Sequence, residues 1–180
     1  RPSDAVSVTP LVPATAATAP SGRQGGVGGT EREITVLFVD LRGSTQLGQT
    51  RLPYDVLFIL NQFFSEMARS LRTTDGHYAQ FNGDGLMAIY GRNASVANGA
   101  RDALRGGIEM LRRLAQLNRR LGDELDEPLR VGIGIHTGEA IVGTMGPPES
   151  PIYSAIGDNI NVAARLEAMT KELGCPMVIS

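Results

Sequence analysis

The chain has 180 residues and a formal net charge of −2, which is long enough for one domain with a buried core. There is no basic excess, so the composition gives no support for nucleic-acid binding. A single cysteine, Cys175, excludes an internal disulfide, and no apolar run approaches the roughly 18 residues that a membrane span requires.

Residues 1–30 are dominated by Pro, Ala, Thr, Ser and Gly, and four of the ten prolines lie before residue 21. Such a segment cannot bury enough apolar surface to offset the entropy lost on ordering. We therefore predict a flexible linker over residues 1–30, or equally a simple spacer between domains, and a folded domain over residues 31–180.

The apolar residues 33–41 predict a strand that is covered on both faces. A turn follows, in which Ser44 or Thr45 is expected to cap a short helix. Pro53 is placed as a first-turn proline of a helix whose apolar residues recur every three or four positions. The residues of that stripe are Leu57, Leu60, Phe64, Met67 and Leu71.

Asn82-Gly83 predicts the two-residue loop of a tight hairpin, with strands over residues 77–81 and 85–90. A long second helix follows, and its apolar stripe is Ala100, Leu104, Ile108, Leu111 and Ala115. Its many arginines alternate with acids, which indicates a solvated face rather than a phosphate site.

Residues 130–136 alternate in the period of a strand, Thr137-Gly138 predicts a turn, and residues 140–145 and 152–156 predict two more strands. Gly157-Asp158 opens a third helix, with the stripe Val162, Leu166, Met169 and Leu173, and residues 177–180 begin a last strand. The order predicts an α+β fold: a ferredoxin-like βαββαβ core, a mostly antiparallel sheet, an extra hairpin and helices packed on one face.

Two acids lie where strands of this fold should meet. Asp40 ends the first strand and Asp84 lies on the shoulder of the hairpin, so their carboxylates can share divalent cations. Two such ions assist phosphoryl transfer, and the Leu41 carbonyl is a candidate backbone ligand. The alternative is that both acids are ordinary turn residues.

Asn161 and Arg165 lie four apart on the third helix and so share one face. An amide beside a guanidinium suits a ribose and a phosphate, although an ordinary surface pair is the alternative. His136, at a strand end, is expected to be structural, and Cys175 a small apolar residue.

Four ordered motifs resemble the catalytic domain of class III nucleotidyl cyclases, from about residue 31 to residue 180, within a bacterial adenylyl cyclase subgroup that carries Thr or Ser at a base-selecting position. The motifs are Phe38-Val39-Asp40-Leu41-Arg42-Gly43-Ser44-Thr45, Asn82-Gly83-Asp84-Gly85-Leu86-Met87-Ala88, Gly134-Ile135-His136-Thr137-Gly138 and the segment from Ala155 to Leu166.

The resemblance implies a role for each matching position. Asp40 and Asp84 match the aspartates that bind two divalent cations, Mg²⁺ or Mn²⁺. Asn161 matches the residue that orients the ribose, and Arg165 the one that stabilises the transition state at the α-phosphate. The loop residues Gly43, Ser44 and Thr45 become candidate substrate contacts.

In this family the aspartates come from one subunit, and the asparagine, the arginine and a base-selecting pair come from the other, so a homodimer is expected. The reaction implied is attack of the ribose 3′ oxygen on the α-phosphate of ATP, which yields cyclic AMP and pyrophosphate. The usual domain continues past residue 180 with a lysine that reaches the terminal phosphates, so we expect the domain to lack its C-terminal end here.

Gln80 and Ser154 match the pair that selects the base. Adenylyl cyclases usually have Lys at the first position and guanylyl cyclases Glu, so Gln80 departs from both. An amide and a hydroxyl can each donate or accept, so the pair could read adenine or adapt to guanine. Ser154 resembles the Thr of one adenylyl cyclase subgroup, which favours ATP, with GTP as an alternative substrate. A guanylyl or dual-specificity cyclase, or a degenerate nucleotide-binding dimerisation module, therefore stays open.

The surroundings of the domain follow from the same resemblance. We expect a cytoplasmic location. The sequence begins at Arg1 rather than Met, so we also expect an upstream sensor or membrane domain.

Overall fold

The computed structural model describes residues 29–180, apart from the side chains of Phe81, Asn82 and Asp123. The predicted linker lies outside these residues except for its last two positions. The elements, in chain order, are β1 (Thr30–Arg42), α1 (Ser44–Thr50), α2 (Pro53–Thr73), β2 (His77–Asn82), β3 (Gly85–Tyr90), α3 (Val96–Leu121), a 3₁₀ turn (Gly122–Glu124), β4 (Arg130–Met145), β5 (Ile152–Ile156), α4 (Asp158–Glu172) and β6 (Met177–Ile179).

The strands form one mixed sheet in the order β2-β3-β1-β4-β5, with β6 parallel to β4 and all other described pairs antiparallel. The elements β1, α2, β2, β3, α3 and β4 form the ferredoxin-like core that the sequence predicts. β1 lies at the centre, between β3 and β4, so the end of β1 is surrounded by backbone on both sides.

Helices cover both faces of the sheet, so the prediction that they pack on one face is wrong. Leu37, Val39 and Leu41 of β1 belong to the core with α2 and α3. Ile34 and Val36, which alternate with them, belong to a second core that contains Ala163 of α4. Because side chains alternate along a strand, a strand that is apolar throughout requires a cover on each face.

Two predicted turns differ from the structure. β4 continues through Thr137 and Gly138 without a turn, because β1 is long enough to pair with it over the whole stretch from Thr30 to Arg42. The hairpin between β2 and β3 turns at Gly83-Asp84 rather than at Asn82-Gly83, since Asn82 and Gly85 face each other in the ladder. Gly83 supplies the positive φ, at 67°.

The predicted buried stripes of the helices are only partly correct. In α2, Met67 and Leu71 are buried but Leu57 is exposed. Ile108 of α3 is 54% exposed and Leu173 after α4 is 59% exposed. The buried positions of α4 are instead Ala163 and Thr170. None of the helices within residues 29–180 is both long and apolar enough to cross a lipid bilayer.

Candidate active site

The two predicted acids are brought together at the end of β1. Asp40 is paired with Gly85, the residue after Asp84, across the β1–β3 ladder. A Cβ at Gly85 would lie 2.6 Å from Oδ1 of Asp40, so the glycine leaves the space that this carboxylate occupies. The Leu41 N–H donates to the Asp84 carbonyl over 3.3 Å, which ties the hairpin to β1.

The acid pair is electrostatically unfavourable without a cation. Burial, followed by the neighbouring Asp84 carboxylate, raises the pKa of Asp40 to about 7. A third acid, Glu167 of α4, raises it further, and the Arg42 guanidinium opposes the shift. Burial also raises the pKa of Glu167. An accumulation of half-buried negative charge of this kind is typical of functional sites.

The donor set fits divalent cations of the magnesium type. Asp40 and Asp84 supply hard carboxylate oxygens on adjacent strands, and Mg²⁺ is commonly held by one or two carboxylates together with substrate phosphates and water. No group of three or more His, Cys, Asp or Glu side chains in the described part of the chain has metal-binding geometry. The acid pair would therefore depend on a substrate for its remaining ligands.

The acids line a cavity of about 900 Å³, which is large enough for a nucleotide. Gly43, Ser44 and Thr45 also line it. The cap of α1 is Gly43 and has no side-chain capping bond, so the capping role predicted for Ser44 or Thr45 is wrong. The Ser44 hydroxyl instead donates to the Asp84 carboxylate and so helps to orient it.

Asn161 and Arg165 lie elsewhere. Both are exposed on α4, one turn apart as the sequence predicts. The described residues that line the acid cavity include Glu167, Ala168 and Lys171 of α4, but neither Asn161 nor Arg165. The chain therefore separates the acid pair from the asparagine and the arginine.

The base-selecting candidates are also outside the acid cavity. Gln80 is exposed on β2 directly after an irregularity in the β2–β3 pairing, and Ser154 is buried on β5. The two edge strands approach each other, since the ring centroids of His77 and Tyr153 are 5.2 Å apart. Gln80 and Ser154 thus lie on strands from opposite ends of the β2-β3-β1-β4-β5 order that approach each other in space.

The charged side chains of Arg42, Glu167 and Lys171 also line the cavity, although the sequence does not mark them as site residues. Glu167 and Lys171 reach the cavity only because α4 folds back over β1 and β4. The residue pattern along α4 does not indicate which strands the helix will cover.

His136 has the hydrogen-bond partners of a structural residue. Its Nε2 is 2.9 Å from Oδ1 of Asn159, and Nδ2 of Asn159 donates to the Glu139 carbonyl over 2.7 Å. These contacts fasten the start of α4 to β4. Cys175 is half-buried and its thiol lies 3.6 Å from the Met177 carbonyl.

The sequence profile described as "Adenylate and Guanylate cyclase catalytic domain" matches residues 29–177. The chain belongs to this family. Adenylate cyclase 1 of Rhizobium meliloti (strain 1021) is 32% identical over 160 residues, which are 89% of this chain and 24% of that protein. The adenylate cyclase of Anabaena cylindrica is 31% identical over 83% of this chain and 30% of that protein. The chain thus spans less than a third of either relative.

Solved structures of cyclases have the same fold. The guanylyl cyclase Cya2 has a TM-score of 0.73 at 36% identity, over 78% of this chain and 72% of that one. The adenylyl cyclase CyaB from P. aeruginosa has a TM-score of 0.74 at 28% identity, over 78% of this chain and 74% of that one. Cyclase domains of this family bind nucleotides, depend on divalent metals and work as dimers.

Proposed function

We propose that this chain is the catalytic domain of an adenylyl cyclase, which converts ATP to 3′,5′-cyclic AMP and pyrophosphate at sites shared by two copies of the chain. The observation that carries the proposal is the separation of the site residues. Asp40 and Asp84 line one cavity, whereas Asn161 and Arg165 lie exposed outside it. A head-to-tail dimer would join each half-site to its complement.

In the first half-site, Asp40, Asp84 and the Leu41 carbonyl would hold two divalent cations, Mg²⁺ or Mn²⁺. Bound there, the cations would neutralise phosphate charge and assist attack of the ribose 3′ oxygen on the α-phosphate. Ser44 would keep the Asp84 carboxylate oriented through its hydroxyl. Together with Gly43 and Thr45, it would contact the triphosphate at the edge of the cavity.

In the second half-site, the exposed face of α4 would supply the remaining polar groups. The Asn161 amide would orient the ribose so that its 3′ oxygen lies in line with the scissile bond. The Arg165 guanidinium would donate to the α-phosphate, where negative charge grows in the transition state. Gln80 and Ser154 would contact the edge of the base.

The adenylate cyclases among the relatives support ATP as the substrate of this chain. One observation favours a guanylyl or dual-specificity cyclase instead: Cya2, a guanylyl cyclase, is 36% identical to this chain. The Gln80 amide can present either its donor or its acceptor to a base, so it does not exclude guanine.

The deciding experiment measures cyclic AMP and cyclic GMP made from ATP and GTP by the purified protein with Mn²⁺, both as this chain and in its full natural length. We expect cyclic AMP to exceed cyclic GMP. A larger yield of cyclic GMP would replace the proposal with the guanylyl alternative. Nucleotide binding with no turnover of either substrate would indicate a degenerate module instead.

The shared site has its own test. The variants Asp84→Ala and Arg165→Ala are each expected to be inactive as homodimers. An equal mixture should recover about a quarter of the wild-type activity, because half of the dimers are mixed and one of their two sites is intact. A mixture as inactive as its components would reject the shared site.

We further propose that the catalytic domain covers residues 31–180 and continues beyond them, after a linker over residues 1–30. A cytoplasmic location and an upstream sensor or membrane domain fit a protein whose relatives are several times longer than this chain.

A further inference from the structure

Besides Asn161 and Arg165, helix α4 carries a polar side chain, Glu167, on the face that packs against its own sheet. Ala163, Glu167 and Thr170 follow one another at spacings of four and three, so they share a face, and Ala163 and Thr170 are fully buried. Asn161 and Arg165 are exposed. One helix therefore presents proposed site residues to a partner and a carboxylate to its own strands.

Two glycines of β4 allow this approach. A Cβ at Gly134 would overlap the Ala163 carbonyl and the Glu167 backbone. A Cβ at Gly132 would overlap Oε1 of Glu167, and Gly132 is paired with Asp40 across the β1–β4 ladder. The Glu167 carboxylate is thus held next to the strand position of Asp40.

Arg42 lies near this carboxylate, since Oε1 of Glu167 and Nη2 of Arg42 both approach the position that a Cβ on Gly132 would take. Its guanidinium donates to Oγ1 of Thr170, and the Thr170 hydroxyl donates to the Glu167 carbonyl. The guanidinium also lies close enough to act on the charges of both Asp40 and Glu167. Glu167 therefore partly neutralises the positive charge of Arg42. The electrostatic potential at the acid pair is then more negative than it would be with Arg42 alone.

We propose that Glu167 is a positioning residue for the acid pair of its own chain, and that by balancing Arg42 it sets the affinity of Asp40 and Asp84 for divalent cations. The inference rests on the proposed function, in which the acid pair binds those cations. Glu167 need not touch the metal. Its carboxylate opposes the charge of the Arg42 guanidinium and adds to the negative field at the site.

The charges of Glu167 and Arg42 determine whether each substitution weakens or strengthens cation binding. Glu167→Gln keeps the shape but removes the negative charge that opposes Arg42, so the cations should bind about tenfold more weakly. Arg42→Met removes the competing cation and should tighten binding. Glu172→Gln removes the same charge from an exposed position of α4 that does not line the cavity, so it is the matched control, with cation affinity expected at the wild-type value.

Mn²⁺ binding measured by electron paramagnetic resonance tests this without turnover, in the presence of 3′-deoxy-ATP, which lacks the attacking oxygen. An unchanged Mn²⁺ affinity in Glu167→Gln, an equal loss in Glu172→Gln, or a loss in Arg42→Met would overturn the inference. If Asp84→Asn binds Mn²⁺ as the wild type does, the metal site of the proposed function is wrong and both proposals fall.

Mixed dimers separate the action of Glu167 on its own acids from a role in holding Arg165. Glu167→Gln/Arg165→Ala mixed with Asp84→Ala leaves one site in which Glu167 is missing beside the intact acids. The mixture of Asp84→Ala/Glu167→Gln with Arg165→Ala also leaves one working site. There, Glu167 is missing from the chain that supplies the arginine.

The reference for both is the mixture of Asp84→Ala with Arg165→Ala. We expect the first mixture to need about ten times more Mn²⁺ for half-maximal activity, and the second to match the reference. The reverse pattern, or an equal change in both, would show that Glu167 only supports the helix.

Discussion

At the end of β1, Asp40 loses part of its hydration and lies beside a second carboxylate, Asp84. Proteins keep such like-charged pairs where a bound cation or substrate stabilises them. Because the pKa of Asp40 is raised to about 7 from an ordinary value of 3.8, its ionisation opposes folding in the metal-free protein. The stability associated with the protonated form is present below about pH 4 and is lost as the pH rises through about 7.

Asp40→Asn should therefore stabilise the metal-free protein while abolishing its cation-dependent activity. The gain in melting temperature should grow between about pH 4 and pH 7 and stay constant above that. Thermal unfolding in the presence of a chelator, from pH 5 to pH 8.5, measures it. Asp126→Asn is the control, because the side chain of Asp126 is 80% exposed and its loss should matter little. A variant no more stable than the wild type at pH 8 would contradict the interpretation.

The sequence identifies Asp40 and Asp84 because each follows a local signal, a strand end or a hairpin turn. It does not identify Glu167 or Arg42 as site residues. The contact of Arg42 with Thr170 joins positions 128 residues apart, and nothing within a helical window of α4 indicates which strand the helix will cover. Residues whose role depends on long-range packing are therefore found only in the structure.

For α4, the sequence predicts the helix itself but not which of its faces is buried. Apolar periodicity correctly indicates a helix here, but the buried positions are Ala163 and Thr170 rather than the larger Met169. Gly132 and Gly134 bring the helix so close to β4 that only small or polar side chains fit between them. The same effect occurs on the other face, where a Cβ at Gly106 of α3 would overlap the Tyr90 hydroxyl.

Gly134→Ala should destabilise the protein by about 2 kcal/mol, because the added methyl group would overlap backbone atoms of α4 that cannot rotate away. Chemical denaturation measures the change. Gly48→Ala is the matched control: its Cβ would meet nothing within 4 Å, and a helical Gly→Ala change should gain up to about 1 kcal/mol. If Gly134→Ala is as stable as the wild type, α4 does not pack at this distance.

At the scale of the whole molecule, one face of α4 would serve a partner while the other contacts the acids of its own chain. In the proposed dimer each chain contributes acids to one site and an arginine to the other. The chain covers 24% of the length of its Rhizobium relative, and the family match covers residues 29–177.

A shared site predicts different effects for two inactive chains added in excess to the wild type. In a mixed dimer with the double variant Asp84→Ala/Arg165→Ala, one site lacks an acid and the other lacks the arginine, so activity should be lost. With the single variant Asp84→Ala, the wild-type acids meet an intact Arg165. Each wild-type chain then keeps one working site, as in its own dimer, and activity per wild-type chain should not change.

The measurement is the initial rate of cyclic nucleotide formation at a fixed wild-type concentration, while either variant is titrated after time for the chains to exchange. Equal inhibition by both variants would indicate depletion of substrate or cation rather than mixed dimers. If neither variant inhibits although mixed dimers form, each chain must complete its own site. Inhibition by the double variant alone is the outcome that follows when the acids and the arginine of a site belong to different chains.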